Sequence, residues 1–243
     1  MHASPHDQRR VLDLVALDLR LRTAEATRAN PPQAARVKEL LAERTEIAQS
    51  LTKARGEVDD ARAEQGRIES DLKVVEARIA RDNARAAGST QAKEAQSLEH
   101  EIASLLRRKS DLEDAELALM ERVEEAEAVV AGIEQHLAAT NAEGTALSAA
   151  AKETVAAAES DIQAASRDRA AVADSLPADL VAQYDRLRAR GVGAGLLRGR
   201  TCEGCRMELA GSELSAMRHI DSDVVAHCPE CGCILVRTEV SAL

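Results

Sequence analysis

Apolar residues recur at every third or fourth position from residue 34 to about residue 173, with one short interruption. Such a repeat predicts amphipathic helix, and a mean spacing of about 3.5 residues is typical of a coiled coil. The interruption runs from Arg85 to Thr90, where Gly88 and two hydroxyl residues can end a helix and reverse the chain. The pattern therefore predicts two long helices joined by a tight turn.

Heptad positions can be assigned on both helices. Before the turn, the a positions are Val37, Arg44, Leu51, Val58, Gln65, Leu72, Ile79 and Ala86, and the d positions are Leu40, Ile47, Ala54, Ala61, Ile68, Val75 and Asp82. After the turn, the a positions are Ala95, Ile102, Lys109, Glu116, Val123, Val130, Leu137, Gly144 and Ala151, and the d positions are Leu98, Leu105, Leu112, Leu119, Ala126, Ile133, Thr140 and Leu147. Two facing, mostly apolar seams predict an antiparallel coiled-coil hairpin. The alternative, two helices of a globular bundle, needs wider apolar stripes and bulkier core residues.

Prolines and glycines divide the rest of the chain. A first helix at residues 6–29 should end at Asn30-Pro31-Pro32, because proline cannot donate an amide and restrains the residue before it. The predicted hairpin, residues 1–174, then consists of that helix, the break at 30–32, a helix at 33–87, a tip at 88–90 and a helix at 91–174. A short helix and a basic, glycine-rich flexible neck follow at 175–200, and a ribbon of short strands at 201–243. Short strands are expected at Leu196-Leu197, Val224-Val225 and Ile234-Leu235-Val236.

The third helix is longer than the second by about 30 residues, so its far end is left for the first helix to pack against. The first helix should lie along residues 147–170 and continue the apolar seam there. The heptad register fails near Gly144, and beyond Ala151 the apolar residues shift by a four-residue stutter. We therefore predict a kink near residues 30 and 145. The predicted fold is mostly α, a long kinked antiparallel coiled-coil hairpin with a small C-terminal β zinc ribbon.

Composition supports a long helical protein rather than a broad globular core. The 243 residues include no Phe, no Trp and one Tyr, whereas a globular core of this size normally buries many aromatic side chains. A net charge of −10 argues against general coating of nucleic acid or adhesion to an anionic membrane surface. No apolar run approaches the ~18 residues of a membrane span, and the N-terminus has no signal core. We expect a cytoplasmic protein, whose cysteines are metal ligands before they are disulfides.

Four cysteines carry the strongest chemical signal. Cys202 and Cys205 form one C-x-x-C pair, and Cys228 and Cys231 form a second after a spacer of 22 residues. Two such pairs supply the four thiolates that a tetrahedral structural zinc ion requires. Gly204 and Gly232 should permit the turn geometry that points amides at sulfur. The sequence predicts one structural Zn²⁺, which would fold a segment too small to hold itself.

The fifth cysteine, Cys233, could replace Cys231, but the C-x-x-C-Gly spacing favours Cys231. Cys233 is then expected to be a free thiol that faces away from the metal. His227 is expected to be an ordinary strand residue, because four sulfurs leave it no place.

Three stretches resemble the FlgZ-like family, bacterial proteins with a coiled-coil hairpin and a C-terminal four-cysteine zinc ribbon. They are Lys93-Glu94 with Leu98, His100-Glu101-Ile102, Leu105 and Arg107-Arg108; Tyr184 with the following Gly-Val-Gly run; and Cys202-Glu-Gly-Cys205-Arg-Met-Glu-Leu209 with Cys228-Pro-Glu-Cys231-Gly232-Cys233-Ile234-Leu235. Members of that family are adaptors rather than enzymes, and some bind an alternative sigma factor, flagellar or secretion-ATPase regulators, or a flagellar transcript. The resemblance implies a scaffold function. Cys233 stands where the family usually has Arg, so the role of that arginine does not carry over.

Two other surfaces are candidates for binding. The charged residues at the hairpin tip are a candidate protein-binding site, made of Arg81, Arg85, Lys93, Glu94 and Glu101. The neck arginines could grip phosphates and form the alternative, nucleic-acid site, made of Arg186, Arg188, Arg190, Arg198 and Arg200. An acidic band at residues 113–127 is expected to be a solvated flank, with docking of a basic partner as its alternative.

No Ser–His–acid or paired-carboxylate arrangement can be assigned, because residues of a rod face either solvent or the seam and form no dry pocket. We therefore expect a non-enzymatic adaptor that binds protein partners and has no small-molecule substrate and no membrane partner.

Overall fold

The computed structural model describes residues 1–241 and 243. In chain order its elements are α1 (Pro5–Ala29), α2 (Ala34–Gly88), α3 (Ala92–Asp174), α4 (Ala178–Arg188), β1 (Ala194–Arg198), β2 (Thr201–Cys202), α5 (Gly211–Arg218) and β3 (Ile234–Val236). None of the helices among the described residues combines the length and the apolar character needed to cross a lipid bilayer.

Contacts group these elements into two compact units. The first, here called the mixed unit, comprises Met1–Ala34 and Ala149–Leu243; the second, the hairpin unit, is Ala35–Ser148. This grouping differs from the division predicted from sequence, which joined the first helix to the hairpin and separated it from the ribbon. The reason lies in a core shared by α1 and the ribbon, described below.

The hairpin unit buries the predicted seam. The buried residues of α2 are Leu40, Ile47, Leu51, Ala54, Val58, Ala61, Leu72 and Asp82, and all of them occupy predicted a or d positions. The buried residues of α3 in this unit are Leu98, Leu112, Leu119 and Thr140, all at predicted d positions. The predicted register is therefore confirmed, and the short connection between Gly88 and Ala92 makes the pairing of the two helices antiparallel.

Ion pairs also join the two helices, one of them through Lys109 at a predicted a position. Arg62 Nη2 lies 2.5 Å from Glu127 Oε1, and Lys109 Nζ lies 2.7 Å from Glu76 Oε1. Exposed pairs of this kind contribute little to stability, typically ~0–1 kcal/mol each. Their effect is to align the helices, while burial of the seam supplies most of the stabilisation.

The turn between α2 and α3 is organised by Ser89. Its backbone amide donates to Ala86 O (3.3 Å), and its hydroxyl accepts from Gln91 N (3.2 Å) and donates to Glu94 Oε2 (3.0 Å). Ser89 thus satisfies polar groups that a helix terminus leaves without partners.

In the mixed unit, local signals fix both ends of α1. Ser4 precedes it and accepts from Asp7 N (3.1 Å), with Pro5 in the first turn. The helix ends at Ala29, before Asn30 and Pro31. As predicted, α1 lies along the end of α3: Arg20 Nε of α1 donates to Asp161 Oδ1 of α3 (2.7 Å). The bend predicted near residues 30 and 145 stays a prediction.

The ribbon forms a three-stranded sheet in the order β2-β1-β3. β1 is antiparallel to β2 and parallel to β3. As predicted, Leu196-Leu197 and Ile234-Leu235-Val236 are in strands. The predicted strand at Val224-Val225 is wrong, because Val224 makes only an isolated bridge to His2, and α5 was not anticipated.

One hydrophobic core joins α1 to the ribbon. Its members are Ala3, Val11, Leu14, Leu176, Leu180, Tyr184, Ala194, Val225, Ile234 and Val236. Backbone hydrogen bonds add to it, since Ala3 N donates to Asp223 O (2.7 Å) and Val225 N donates to Met1 O (3.0 Å). The ribbon and the chain terminus therefore fold against each other.

The glycine-rich segment is packed rather than flexible, so the prediction of a flexible neck is wrong. Gly193 and Gly195 are both buried, and Gly195 lies within β1. A Cβ added at Gly195 would lie 2.5 Å from Gly204 N, and one at Gly193 would lie 2.5 Å from Tyr184 Cε2. Only glycine permits these approaches, which bring β1 against the first cysteine turn and against α4.

Candidate metal centre

The four predicted cysteines come together at one end of the small sheet. Cys202 ends β2, Cys205 follows in the next turn, and Cys228 and Cys231 occupy the turn before β3. Their four sulfur atoms all lie within 4.8 Å of one another. Zn–S bonds of about 2.3 Å at tetrahedral angles place sulfurs about 3.8 Å apart, and Cys205 Sγ lies 3.8 Å from Cys228 Sγ. The set can therefore hold one zinc ion as a structural, four-sulfur site.

Both cysteine turns have the same backbone design. In each, the carbonyl of the first cysteine accepts an amide four residues later: Arg206 N to Cys202 O (2.7 Å) and Gly232 N to Cys228 O (2.8 Å). Arg206 (φ 63°) and Gly232 (φ 73°), the residues that follow the second cysteine of each pair, have left-handed backbone. The expected role of Gly232 is thus present, but in the first turn that conformation belongs to Arg206 and not to Gly204.

Gly204 is required for space instead. A Cβ added there would lie 3.0 Å from Val192 Cγ1 and 3.2 Å from Cys233 Sγ. Contacts this short would push the first turn away from the sulfur cluster.

The surroundings of each thiol set its pKa, and zinc must displace the thiol proton when it binds. Burial is the main cause that raises the pKa of Cys228 to about 12. Burial acts in the same direction on Cys231, but the Cys233 backbone amide and neighbouring thiols outweigh it and hold the pKa of Cys231 below its usual range. Because zinc binds thiolates, its binding releases protons, and zinc affinity should fall as the pH falls.

Cys233 does not face away from the metal site, so that prediction is wrong. Its side chain is fully buried, and its Sγ lies 3.8 Å from Cys202 Sγ. The C-x-x-C-Gly spacing suggested the opposite orientation, but Gly232 has left-handed backbone and changes the direction of the chain just before Cys233. His227 contacts Gly232 O through Nδ1 (3.2 Å) and Gln183 Nε2 through Nε2 (2.9 Å), and it is not part of the sulfur cluster.

A buried carboxylate in the mixed unit escaped sequence analysis. The Asp18 side chain is 2% exposed and accepts three hydrogen bonds or ion pairs. The donors are Tyr184 OH (2.6 Å), Arg169 Nε (2.8 Å) and Arg188 Nε (3.1 Å). Burial and then the bond to Asp18 raise the pKa of Tyr184, so its hydroxyl remains a donor. The sequence did contain a signal for this site, because Asp18 lies at helical spacing from Val11 and Leu14 and so interrupts their apolar face.

The neck arginines do not form a free basic patch. Arg188 faces Asp18, Arg198 Nε lies 2.5 Å from Glu203 Oε1, and Arg200 Nε lies 3.2 Å from Glu208 Oε1. Of the other two, Arg186 Nε donates to Ala182 O (3.2 Å), and Arg190 is exposed. Carboxylates of the chain thus neutralise three of the five cations proposed to hold phosphates, and nucleic-acid binding stays a prediction.

We expect Arg198→Ala with Arg200→Ala to leave association with RNA or DNA unchanged, because both arginines already have acidic partners. Fluorescence anisotropy with labelled single-stranded RNA and duplex DNA, at low and at physiological salt, measures this. The matched control is Arg190→Ala. Binding that weakens with salt and disappears in the double variant would instead support the nucleic-acid alternative.

The five tip residues are all exposed but differ in their contacts. Glu101 forms an ion pair with Arg78 across the hairpin, and Arg85 Nη2 lies 3.7 Å from Glu94 Oε1. Among the residues that the structure describes, no ion pair involves Arg81 or Lys93. Glu101 therefore belongs to the alignment of the hairpin, whereas the other four lie close to the turn.

Comparisons with known proteins agree with this architecture. Residues 14–192 match the CT398-like coiled coil hairpin domain, and residues 201–235 match the C4-type zinc ribbon domain. An uncharacterized protein of Mycobacterium tuberculosis is 34% identical over 241 residues, 98% of each chain. Another, of Mycobacterium leprae, is 31% identical over 217 residues, 86% of this chain and 91% of the relative.

Solved structures show the same fold. A protein from Mycobacterium smegmatis matches with a TM-score of 0.78 and 30% identity, over 98% of this chain and 100% of that one. CT398 from Chlamydia trachomatis matches with a TM-score of 0.60 and 16% identity, over 96% and 98% of the two chains. Neither matched domain indicates a catalytic family, and the two together fit a non-catalytic scaffold. The chain belongs to the family of CT398-like coiled-coil hairpin proteins that carry a C4-type zinc ribbon.

Proposed function

We propose that the protein is a cytoplasmic, non-enzymatic adaptor that binds protein partners through its coiled-coil hairpin and zinc ribbon. The observation that carries this proposal is that two exposed charged residues at the tip have no ion-pair partner among the described residues. Arg81 and Lys93 are exposed beside the turn, and among the described residues neither belongs to an ion pair or to the buried seam. Charges that do not stabilise the hairpin are available to a partner.

The character of the grooves supports a binding role over catalysis. The groove between α1 and α3 in the mixed unit is open and lined mainly by small apolar and threonine side chains. Its one carboxylate, Asp161, accepts from Arg20 Nε (2.7 Å). Catalysis needs convergent titratable groups in a site that excludes water, and this groove has neither property.

Charge reversal at the tip tests the proposal. We expect Arg85→Glu with Lys93→Glu to abolish capture of the main protein partner in a pull-down from the native cell extract. Exposed changes of this kind should cost within about 0.5 kcal/mol each. Helicity by circular dichroism and zinc content should therefore match those of the unaltered protein, so that lost capture reports the interface.

The matched control is Lys38→Glu with Lys73→Glu, which makes the same change in net charge at exposed positions of α2 away from the tip. This control should retain the partner. Loss of the partner in both variants would indicate a general charge effect. Retention of the partner by the tip variant would overturn the tip assignment.

A further inference from the structure

The sulfur cluster contains one thiol more than a zinc ion needs. Cys233 Sγ lies 3.8 Å from Cys202 Sγ, the same separation as between Cys205 Sγ and Cys228 Sγ. That is also the edge of a zinc–thiolate tetrahedron built from bonds of about 2.3 Å. Cys233 is therefore at a ligand's distance from one member of the site, although it lies outside the two C-x-x-C pairs.

The neighbours of Cys233 place it against the first cysteine turn. A Cβ added at Gly204 would lie 3.2 Å from Cys233 Sγ and 3.4 Å from Cys202 Sγ. Only Gly232 separates Cys233 from Cys231 in the chain. Cys233 thus contacts the first pair and lies two residues from the cysteine whose position in the site it could take.

Exposure distinguishes the two cysteines. Cys231 is exposed, whereas Cys233 is fully buried and packs with Leu197, Leu209 and Leu235. The thiol that solvent and thiol reagents reach first is therefore Cys231. The thiol behind it is protected from them.

We propose that Cys233 is a reserve zinc ligand, which takes the fourth coordination position when the Cys231 thiolate is lost or modified. In the exchange, the bond from zinc to Cys231 sulfur breaks and a bond from zinc to Cys233 sulfur forms. The Cys233 proton passes to the departing thiolate, or to solvent where Cys231 has been modified or replaced. The exchange changes no oxidation state, and zinc remains bound to four sulfurs.

The backbone on both sides of Cys233 bears on the exchange. Gly232 lies between the two cysteines and has a φ of 73°, so the backbone there has freedom that other residues lack. On the other side, Cys233 O accepts from Cys228 N (2.9 Å) and Ile234 pairs with Ala194, which hold the chain near the metal. In the proposed exchange, the Cys233 side chain turns toward the metal while these backbone contacts are kept.

The test compares zinc content and affinity in full-length variants. Cys231→Ser should retain about one zinc per chain, and Cys233→Ser should also retain it. Cys231→Ser with Cys233→Ser should bind zinc at least about tenfold more weakly than Cys231→Ser alone, since even altered outer-shell contacts cost about 10–100-fold in affinity. Cys205→Ser is the control, and it should lose zinc, because the reserve thiol replaces Cys231 and not a ligand of the first turn.

Cobalt(II) substitution supplies a readout that does not depend on zinc stoichiometry. The sulfur-to-cobalt charge-transfer absorption of Cys231→Ser should keep the intensity of four thiolates, and that of the double variant should fall to three. Cys231→Ala repeats the measurement without a hydroxyl at that position and should give the same result. The proposal is overturned if Cys231→Ser and Cys231→Ala show the same zinc loss and the same weakened absorption as the double variant.

Discussion

Removal of zinc by a strong chelator is expected to unfold the ribbon and to destabilise α1 and α4 with it, while the hairpin unit keeps its helices. A structural zinc ion supplies on the order of 10 kcal/mol of folding free energy. Without it, β3 loses its anchor at Cys228 and Cys231. Ile234 and Val236 of β3 belong to the same core as Val11 and Leu14 of α1, so the loss reaches beyond the ribbon.

Hydrogen exchange with mass spectrometry measures this region by region. Amides of α1 and α4 should lose protection when zinc is removed and regain it when zinc is restored, whereas amides of α2 within the hairpin unit should not change. The division predicted from sequence placed α1 in the hairpin, apart from the ribbon, and on that division α1 would be independent of the metal. Unchanged protection of α1 after full removal of zinc would support that division and contradict the shared core.

The hairpin could be predicted in detail because its determinants are local and periodic. Each buried residue of α2 is fixed by its place in a repeat of about 3.5 residues, and even the polar Asp82 is buried at its predicted d position. The zinc ligands could be predicted from sequence for a similar reason, because the spacing within each C-x-x-C pair is set by a single turn of the chain. In both cases the information lies within a few residues of the feature.

Contacts between segments that are distant in the chain could not be predicted from such local patterns. Val11 and Ile234 share a core although most of the chain separates them, and no periodic pattern connects them. The orientation of Cys233 depends on the left-handed backbone of Gly232, which the residue type permits but does not require. Likewise, Gly193 and Gly195 are compatible with a flexible neck or with close packing, and only the position of Tyr184 and Gly204 decides between them.

Asp18 also explains why the one tyrosine and two arginines lie where they do. Tyr184 and Arg188 come from α4, and Arg169 comes from the end of α3, so the carboxylate of α1 joins three helices. Arg169 Nη2 also lies 2.5 Å from Asp185 Oδ1, which links α3 to α4 directly. The network fixes the relative positions of elements that support the ribbon.

We expect Asp18→Ala to destabilise the mixed unit by about 3–5 kcal/mol. Removal of one member of a buried ion pair costs this much because the remaining charges keep their desolvation penalty without a partner. Tyr184 OH would lose its acceptor, Arg188 would lose its carboxylate partner, and Arg169 would keep only its ion pair with Asp185. Tyr184→Phe keeps the ion pairs and removes only a hydrogen bond to a charged group, so it should cost less, about 1.5–3 kcal/mol.

The measurement is urea unfolding of the zinc-loaded protein, combined with the free energy of amide exchange in α1 and α4, which separates the mixed unit from the hairpin unit. Asp13→Ala is the matched control, because Asp13 is an exposed carboxylate of the same helix, 3.3 Å from Arg10 Nε, and its loss should cost ~0–1 kcal/mol. The hairpin unit should unfold at the same urea concentration in all three variants, since none of the altered residues lies within it. If Asp18→Ala were no more destabilising than Asp13→Ala, the buried network would be a consequence of packing by the apolar core, and the arrangement of α1, α3 and α4 would have to be attributed to that core alone.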